Sequence, residues 1–300
     1  MNKIVLGIDI AGSHITAALI DITNKKELEG SWVRERVNSH GTKDEIISAW
    51  ADAMLKAAGN YWPDLDHIYI AMPGPLDYKQ GISRIHKQDK YGALFGENLK
   101  ELLSSKLGLD KSAFHFMNDA ACFLRGEVFC GSMDGYDHAI GLILGTGLGT
   151  AHFENGKAED ADFWKMPFRK GIAEDYISTG WFIKHYHELT GLTIRDVKDL
   201  VENHRDNPHF KDVFDEFSMN LASFLHRFIR KKMPLAAVIG GNIVIHAEQY
   251  FLEDTKKYLA GMMGYSFPVK KSLLFEKAIL IGAASESKKM KAKKKEVLPH

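Results

Sequence analysis

The segment GLILGTGLGTAHFENGK, residues 141–157, contains closely spaced glycines, a pattern that could serve a chemical function. Glycine lets a backbone approach a bulky group, and a phosphate is the common case. A dinucleotide-binding fingerprint would need G-x-G-x-x-G at the start of a helix, whereas Gly145, Thr146 and Gly147 are followed by strand-like residues that end in an Asn-Gly turn. We therefore predict a strand, a glycine-rich hairpin and a second strand. The hairpin either holds a phosphate or is an ordinary β-hairpin.

A carboxylate precedes a second turn of small residues near the start of the chain. Asp9 lies at the end of the apolar run Lys3–Ile10, and the turn that follows is Ala11-Gly12-Ser13-His14. Such a carboxylate can hold Mg²⁺ through water, while the backbone N–H groups of the turn meet phosphate oxygens. The alternative is that Asp9 stabilises the turn with its own side chain.

The Asn118-Asp119 pair follows a short predicted strand, Phe114–Met117, and precedes a predicted helix that runs through Phe129. An aspartate at such a junction is often simply the helix N-cap. On the local residues alone, a functional role for Asp119 is about equally consistent with this position. The residues themselves leave both interpretations open.

The elements that must position these residues alternate between strands and helices. Thr42 and Glu45 form a capping-box pattern that predicts a helix start. A strand, a tight glycine-containing turn and a second strand occur near residue 12 and again near residue 147. Each is the first hairpin of an α/β half, so the sequence indicates two similar halves around a cleft.

Composition limits the classes of function. The chain has 300 residues, which favours about two domains, and its formal net charge of +0 gives no general attraction to nucleic acid or membrane. Cys122 and Cys130 fall in one predicted helix and cannot form a disulfide framework. No signal peptide or membrane-spanning stretch is evident, so we expect a cytoplasmic protein that binds neither nucleic acid nor membrane.

Five motifs, in this order, resemble the ROK sugar kinases of the actin-like, hexokinase-like ATPase superfamily. Each motif alone is weak, but their order and spacing over most of the chain are specific. They are Gly7-Ile8-Asp9-Ile10-Ala11-Gly12-Ser13, Ala71-Met72-Pro73-Gly74-Pro75, Asn118-Asp119-Ala120-Ala121, Leu144-Gly145-Thr146-Gly147-Leu148-Gly149-Thr150 and Val238-Ile239-Gly240-Gly241-Asn242.

The resemblance implies an α/β fold of two actin-like, ribonuclease H-like domains around a central nucleotide and sugar cleft. We expect an N-terminal domain over residues 1–118, with a C-terminal helix at about 276–290 packing back on it. A C-terminal domain would cover residues 119–275. We also expect a homodimer.

The resemblance also implies roles for individual residues. Asp119 would be the general base that takes the proton from a sugar hydroxyl, while Asn118 and Gly74 would contact the sugar. ATP would be the donor, with Mg²⁺ at Asp9. The nucleotide would be bound by Asp9, Ala11, Gly12, Ser13, His14, Gly145, Thr146, Gly147, Gly240 and Gly241.

The sequence departs from the family pattern where many members carry an E-x-G-H segment followed by zinc-binding cysteines. Here Asp162 stands in for the glutamate and Lys165 for the histidine, and the cysteines are absent, so no structural zinc is expected. Downstream, the segment around Glu174 resembles the one whose glutamate contacts the sugar. Glu174 as a first-turn helix carboxylate is the alternative.

These features predict an ATP-dependent, glucokinase-like kinase for a hexose or hexose derivative. A sugar-binding or regulatory protein without turnover is the alternative, because the Asp162–Lys165 segment is altered. A sugar-responsive repressor would carry a DNA-binding domain before the first strand, and this sequence starts at that strand. An amide or acid kinase of the same superfamily fits Asn118-Asp119 and Glu174 less well.

Overall fold

The computed structural model describes residues 3–86 and 90–288, which fall into two compact units. Unit 1 comprises the described residues up to Cys130 together with those from Lys277 onward, and unit 2 comprises Gly131–Glu276. The boundary predicted after residue 118 therefore differs from this division by one helix, Asp119–Cys130. That helix is part of unit 1 because it packs against the helix Lys277–Ser285.

Unit 1 is built on a mixed sheet in the order β3-β2-β1-β5-β8, with β4 paired to β2. β1 is antiparallel to β2 and parallel to β5, which is in turn parallel to β8. Two small strands, β6 and β7, form a separate hairpin. The strands are β1 (Ile4–Ile10), β2 (His14–Asp21), β3 (Lys26–Glu27), β4 (Val33–Arg36), β5 (Ile68–Met72), β6 (Leu76–Asp77), β7 (Ile82–Ser83) and β8 (Phe114–Asn118).

The helices of unit 1 are α1 (Lys43–Ala58), α2 (Leu99–Leu107), α3 (Asp119–Cys130) and α8 (Lys277–Ser285). The predicted capping box begins α1: the Thr42 hydroxyl accepts the Glu45 N–H, and the Glu45 carboxylate accepts the Thr42 N–H. The helix predicted over 276–290 is observed as α8, which packs on β1, β5 and α3. Residues 289–290 of that prediction lie outside the described residues.

Unit 2 repeats the arrangement, with a sheet in the order β11-β10-β9-β14-β15. β9 is antiparallel to β10 and parallel to β14, which is parallel to β15. Each unit thus has a hairpin followed by two strands parallel to the first strand of that hairpin, and the hairpins are at the two glycine turns noted in the sequence. The strands are β9 (His138–Leu144), β10 (Leu148–Glu154), β11 (Lys157–Asp160), β12 (Pro167–Phe168), β13 (Gly171–Ile172), β14 (Ala236–Gly240) and β15 (Val269–Lys271).

The helices of unit 2 are α4 (Thr179–Thr190), α5 (Val197–Asn203), α6 (Phe210–Lys232) and α7 (Asn242–Met263). α6 buries an apolar stripe at helical spacing, which includes Phe210, Phe214, Phe217, Phe224 and Phe228. These rings pack in one core with Phe182 of α4 and Phe251 of α7.

Two predicted elements are interrupted, and both interruptions have local causes. From the sequence, Leu28–Val37 could form a third strand. The strand begins only at Val33, because Gly30 has a φ of +79° and the Ser31 N–H donates to Leu28 O in a turn. The sequence over Ala173–Leu189 is expected to form one helix, but it splits into a 3₁₀ helix, Ala173–Tyr176, and α4. Ser178 is extended between them, and the Thr179 N–H donates to Gly145 O instead of continuing a helix.

Within residues 3–86 and 90–288, no helix has both the length and the apolar character needed to cross a bilayer.

Candidate active site

The strand register of unit 1 aligns three motifs at one edge of the sheet. Asp9 of β1 pairs with Ala71 of β5, and Ala71 pairs with Met117 of β8. Because β1, β5 and β8 are parallel, their carboxyl ends meet at this edge, and adjacent strands are about 4.8 Å apart. Asp9 and the start of Asn118-Asp119 are therefore about 10 Å apart across the sheet.

The turn after β1 is closed by an internal hydrogen bond and is held by a second hydrogen bond from a buried tyrosine. The Ala11 N–H donates to His14 O at 3.0 Å, and the buried Tyr91 hydroxyl donates to Ala11 O at 2.6 Å. Burial raises the pKa of Tyr91 to about 12, and the negative charge of Asp9 contributes to that rise. Tyr91 thus positions the phosphate-binding turn predicted from sequence.

Two cationic groups lie beside this turn. A Cβ added to Gly12 would be 2.8 Å from Cδ and 3.1 Å from Nζ of Lys90, so the lysine side chain crosses directly over the glycine. His14 Nε2 lies 2.9 Å from an Arg34 guanidinium nitrogen, and Ser13 Oγ lies 3.4 Å from His14 Nδ1. The turn and the arginine line a surface depression of about 820 Å³.

Asn118 is the N-terminal cap of α3. Its Oδ1 accepts the Ala121 N–H at 2.9 Å, and its Nδ2 donates to the Tyr78 hydroxyl at 3.3 Å. Tyr78 donates in turn to Met72 O at 3.1 Å, and a Cβ added to Gly74 would be 3.3 Å from the same hydroxyl. The structure therefore brings Gly74 and Asn118 together through Tyr78.

Asp119 is the first residue of α3, with its Oδ1 accepting the Ala120 N–H at 2.8 Å. The positive end of a helix macrodipole stabilises negative charge at this position. Burial raises the pKa of the nearby Cys122 thiol, Arg125 opposes the rise, and the carboxylates of Asp119 and Asp9 both add to it. Both acids therefore lie within electrostatic reach of one thiol, which is consistent with a shared edge.

Unit 2 brings its two glycine motifs together in the same way. Gly240 of β14 pairs with Ile143 of β9, so the Gly240-Gly241 turn lies next to the hairpin that starts at Leu144. A Cβ on Gly241 would be 2.4 Å from Leu144 O, and Gly241 has a φ of +95°, so only glycine fits there. The hairpin closes with the Gly145 N–H donating to Gly147 O at 3.1 Å.

Glu174 contacts this hairpin directly. Its Oε2 accepts the Leu148 N–H at 2.8 Å, and a Cβ on Gly147 would be 2.6 Å from the same oxygen. The Glu174 N–H donates to Trp164 O at 3.0 Å, which joins it to the altered family segment. In that segment the exposed Asp162 and Lys165 form an ion pair with each other.

No group of three or more His, Cys, Asp or Glu side chains in the described parts of the chain is arranged to hold a metal ion. Mg²⁺ bound with a nucleotide usually takes one or two carboxylates, substrate phosphates and water. A single half-buried carboxylate at the end of β1, Asp9, fits that ligand set.

Sequence reasoning missed Tyr78, Tyr91 and Lys90. Each reaches its motif from a loop that carries no motif of its own, so spacing gave no signal. A lone tyrosine or lysine in a loop is indistinguishable from a surface residue until the loop is placed.

Known proteins resemble the chain over most of its length. It is 24% identical to the glucokinase of Thermotoga maritima, over 93% of this chain and 96% of the relative. It is 27% identical to the N-acetyl-D-glucosamine kinase of Pectobacterium atrosepticum, over 83% of this chain and 87% of the relative.

A solved ROK family glucokinase from Streptomyces griseus, in complex with glucose and AMPPNP, superposes with a TM-score of 0.77. The identity is 21%, and the superposition covers 96% of this chain and 100% of that one. This likeness confirms the predicted α/β, actin-like fold class. The family described as the ROK family matches residues 5–160, more than half of the chain. The resemblance inferred from five short motifs is confirmed, and the chain belongs to the ROK family.

Proposed function

We propose that this protein transfers the γ-phosphoryl group of ATP to a hydroxyl of a hexose or hexose derivative. The observation that carries the proposal is the alignment of Asp9 and Asn118-Asp119 at one edge of the unit 1 sheet, beside a closed glycine turn. Phosphoryl transfer asks mainly for alignment and neutralisation of charge, and these are the groups it requires. Relatives named as glucokinase and N-acetyl-D-glucosamine kinase support the choice of acceptor.

In the proposed reaction Asp119 accepts the proton of the attacking sugar hydroxyl. The sugar oxygen then forms a bond to the γ-phosphorus, and the bond from that phosphorus to the β,γ-bridging oxygen breaks to release ADP. The hydrogen bond from the Ala120 N–H holds the Asp119 carboxylate at the start of α3, so the base is fixed before the substrate arrives.

The remaining roles follow the family expectations. Backbone N–H groups of Ala11, Gly12 and Ser13, with His14 beside them, would bind phosphate in unit 1. Gly145, Thr146 and Gly147 would do so in unit 2, where Gly240 and Gly241 would lie against adenosine. Bound at Asp9, Mg²⁺ would neutralise phosphate charge. The sugar would contact Gly74, Asn118, Asp119, Asp162, Lys165 and Glu174.

We further propose that the protein is a homodimer with no nucleic-acid or membrane partner. We place it in the cytoplasm, where ATP is available. AMPPNP, an ATP analogue, is the nucleotide named with the Streptomyces griseus glucokinase, which supports ATP as the donor.

An ADP-release assay across hexoses and N-acetylated hexosamines tests the proposal. We expect turnover on at least one sugar, with kcat reduced about 10²- to 10⁴-fold in Asp119→Asn because the base is lost. Asp110→Asn is the matched control: Asp110 caps the turn before the other end of β8 and should leave kcat unchanged. A kcat of Asp119→Asn that equals that of the wild type and of Asp110→Asn would refute the assigned base. Sugar binding without turnover in the wild type would favour a sugar-binding regulatory protein.

A further inference from the structure

The carboxylate of Glu174 lies on the glycine hairpin proposed to bind phosphate. Its Oε2 accepts the Leu148 N–H at 2.8 Å, and only the missing Cβ of Gly147 leaves room for that oxygen. The carboxylate is half-buried, whereas that of its neighbour Asp175 is exposed. A negative group therefore lies against backbone that, in the proposed reaction, faces a polyanion.

The main chain holds this carboxylate in place. The Glu174 N–H donates to Trp164 O at 3.0 Å, and the Thr179 N–H donates to Gly145 O at 2.8 Å. The segment from Glu174 to Thr179 is thus hydrogen-bonded at its start to the loop that contains Trp164 and at its end to the hairpin. A side chain on such an anchored segment has little freedom to move away from the hairpin on its own.

The negative charge of the Glu174 carboxylate opposes the binding of nucleotide phosphates at this hairpin. Two unit negative charges about 5 Å apart near a protein surface repel by an energy equivalent to on the order of a hundredfold in affinity, before screening by salt. A sugar hydroxyl that donates a hydrogen bond to the Glu174 carboxylate spreads the negative charge of that carboxylate. The hydroxyl also competes with the Leu148 N–H for the carboxylate oxygen. The family resemblance assigns Glu174 to the sugar, so in the proposed function this carboxylate would contact the sugar and lie near the nucleotide phosphates.

We propose that Glu174 is a gate that makes nucleotide binding depend on the acceptor sugar. Its carboxylate disfavours the triphosphate at Gly145–Gly147 until sugar hydroxyls donate to it. Sugar and nucleotide then bind with positive coupling, which by linkage is the same in both directions. Weak binding of ATP without sugar also limits the transfer of phosphate to water. This inference rests on the proposed function.

The test measures binding of magnesium–AMPPNP by calorimetry, with and without each of the hexoses and N-acetylated hexosamines used in the ADP-release screen. Glu174→Gln keeps the shape and an oxygen for the Leu148 N–H but removes the charge. Asp175→Asn makes the same charge change at the next residue, whose carboxylate accepts the Ile172 N–H at 2.9 Å and does not contact the hairpin.

We expect Glu174→Gln to bind the analogue about tenfold more tightly than wild type without sugar, and the gain to shrink at high salt. Sugar should tighten binding at least fivefold in wild type and in Asp175→Asn, but less than twofold in Glu174→Gln. A variant that merely loosens the fold cannot produce tighter binding, so this readout separates gating from a structural role.

Binding by Glu174→Gln that is no tighter than by Asp175→Asn, or sugar coupling that persists in Glu174→Gln, would overturn the gate. These measurements need no phosphoryl transfer. A wild type with the expected coupling but no ADP release would refute the proposed function and leave the gate standing. ADP release with unchanged binding in Glu174→Gln would refute the gate alone.

Discussion

Gly282→Ala tests the crossing of α3 and α8, on which the position of Asp119 depends. A Cβ on Gly282 would be 1.8 Å from Cys122 O, and the reciprocal Cβ on Gly126 would be 2.0 Å from Ala278 O. Both obstructions are backbone atoms, which cannot rotate away. The two helices would have to separate by about 1 Å, although α8 is also packed against β1 and β5.

The magnitude follows from two opposing terms. Overpacking a tight core costs about 1–3 kcal/mol of unfolding free energy, and a clash with backbone belongs at the upper end of that range. Replacing glycine by alanine inside a helix returns about 1 kcal/mol through helix propensity. We expect a net loss of about 2 kcal/mol, which lowers Tm by about 4–8 °C. Because α3 begins at Asp119, kcat should fall as well.

Thermal and urea denaturation measure the effect, with Gly261→Ala as the matched control. Gly261 is also helical, in α7, but a Cβ there would meet no atom within 4 Å. The control should be as stable as wild type or more stable by up to about 1 kcal/mol. If Gly282→Ala melts at or above the wild-type temperature, the close helix crossing described here is incorrect.

Two further substitutions probe polar groups, the buried Tyr91 and the half-buried His115. Tyr91→Phe leaves Ala11 O without its 2.6 Å hydrogen bond, so we expect a loss of about 1–2 kcal/mol in denaturation and a roughly fivefold higher KM for ATP; an unchanged KM would separate Tyr91 from the phosphate turn. Burial, then His67 and Lys100, lowers the pKa of His115 from 6.5 to about 4. The unfolded chain therefore binds more protons between these values, and stability should fall as pH decreases from 6.5 towards 4. His115→Gln should flatten this decline, and an equal slope in both proteins would contradict the assignment.

The sequence was sufficient to predict those structural features that depend on residues close together in the chain. The capping box at Thr42 and the hairpins that follow Asp9 and Leu144 all depend on residues within a few positions of one another. From the sequence, Phe210–Lys231 is likewise expected to be helical, and the apolar residues at helical spacing in α6 are buried.

Contacts between distant segments could not be predicted in this way. Tyr91 reaches Ala11 across 80 positions, and the break between the 3₁₀ helix and α4 exists because Thr179 bonds to Gly145. The predicted placement of Asp119 in the second domain differed from the structure for a similar reason. Packing of α3 against α8 depends on Gly126 and Gly282, which are far apart in the chain.

The return of α8 to unit 1 has a consequence for how the chain is made. Unit 2 is one continuous segment, Gly131–Glu276, whereas unit 1 needs residues that follow it. During synthesis the ribosome therefore delivers every residue of unit 2 before unit 1 has its last helix. Until then the face of β1 that packs against Leu280 is uncovered. This apolar strand of the nascent chain is therefore accessible to factors that bind emerging polypeptides.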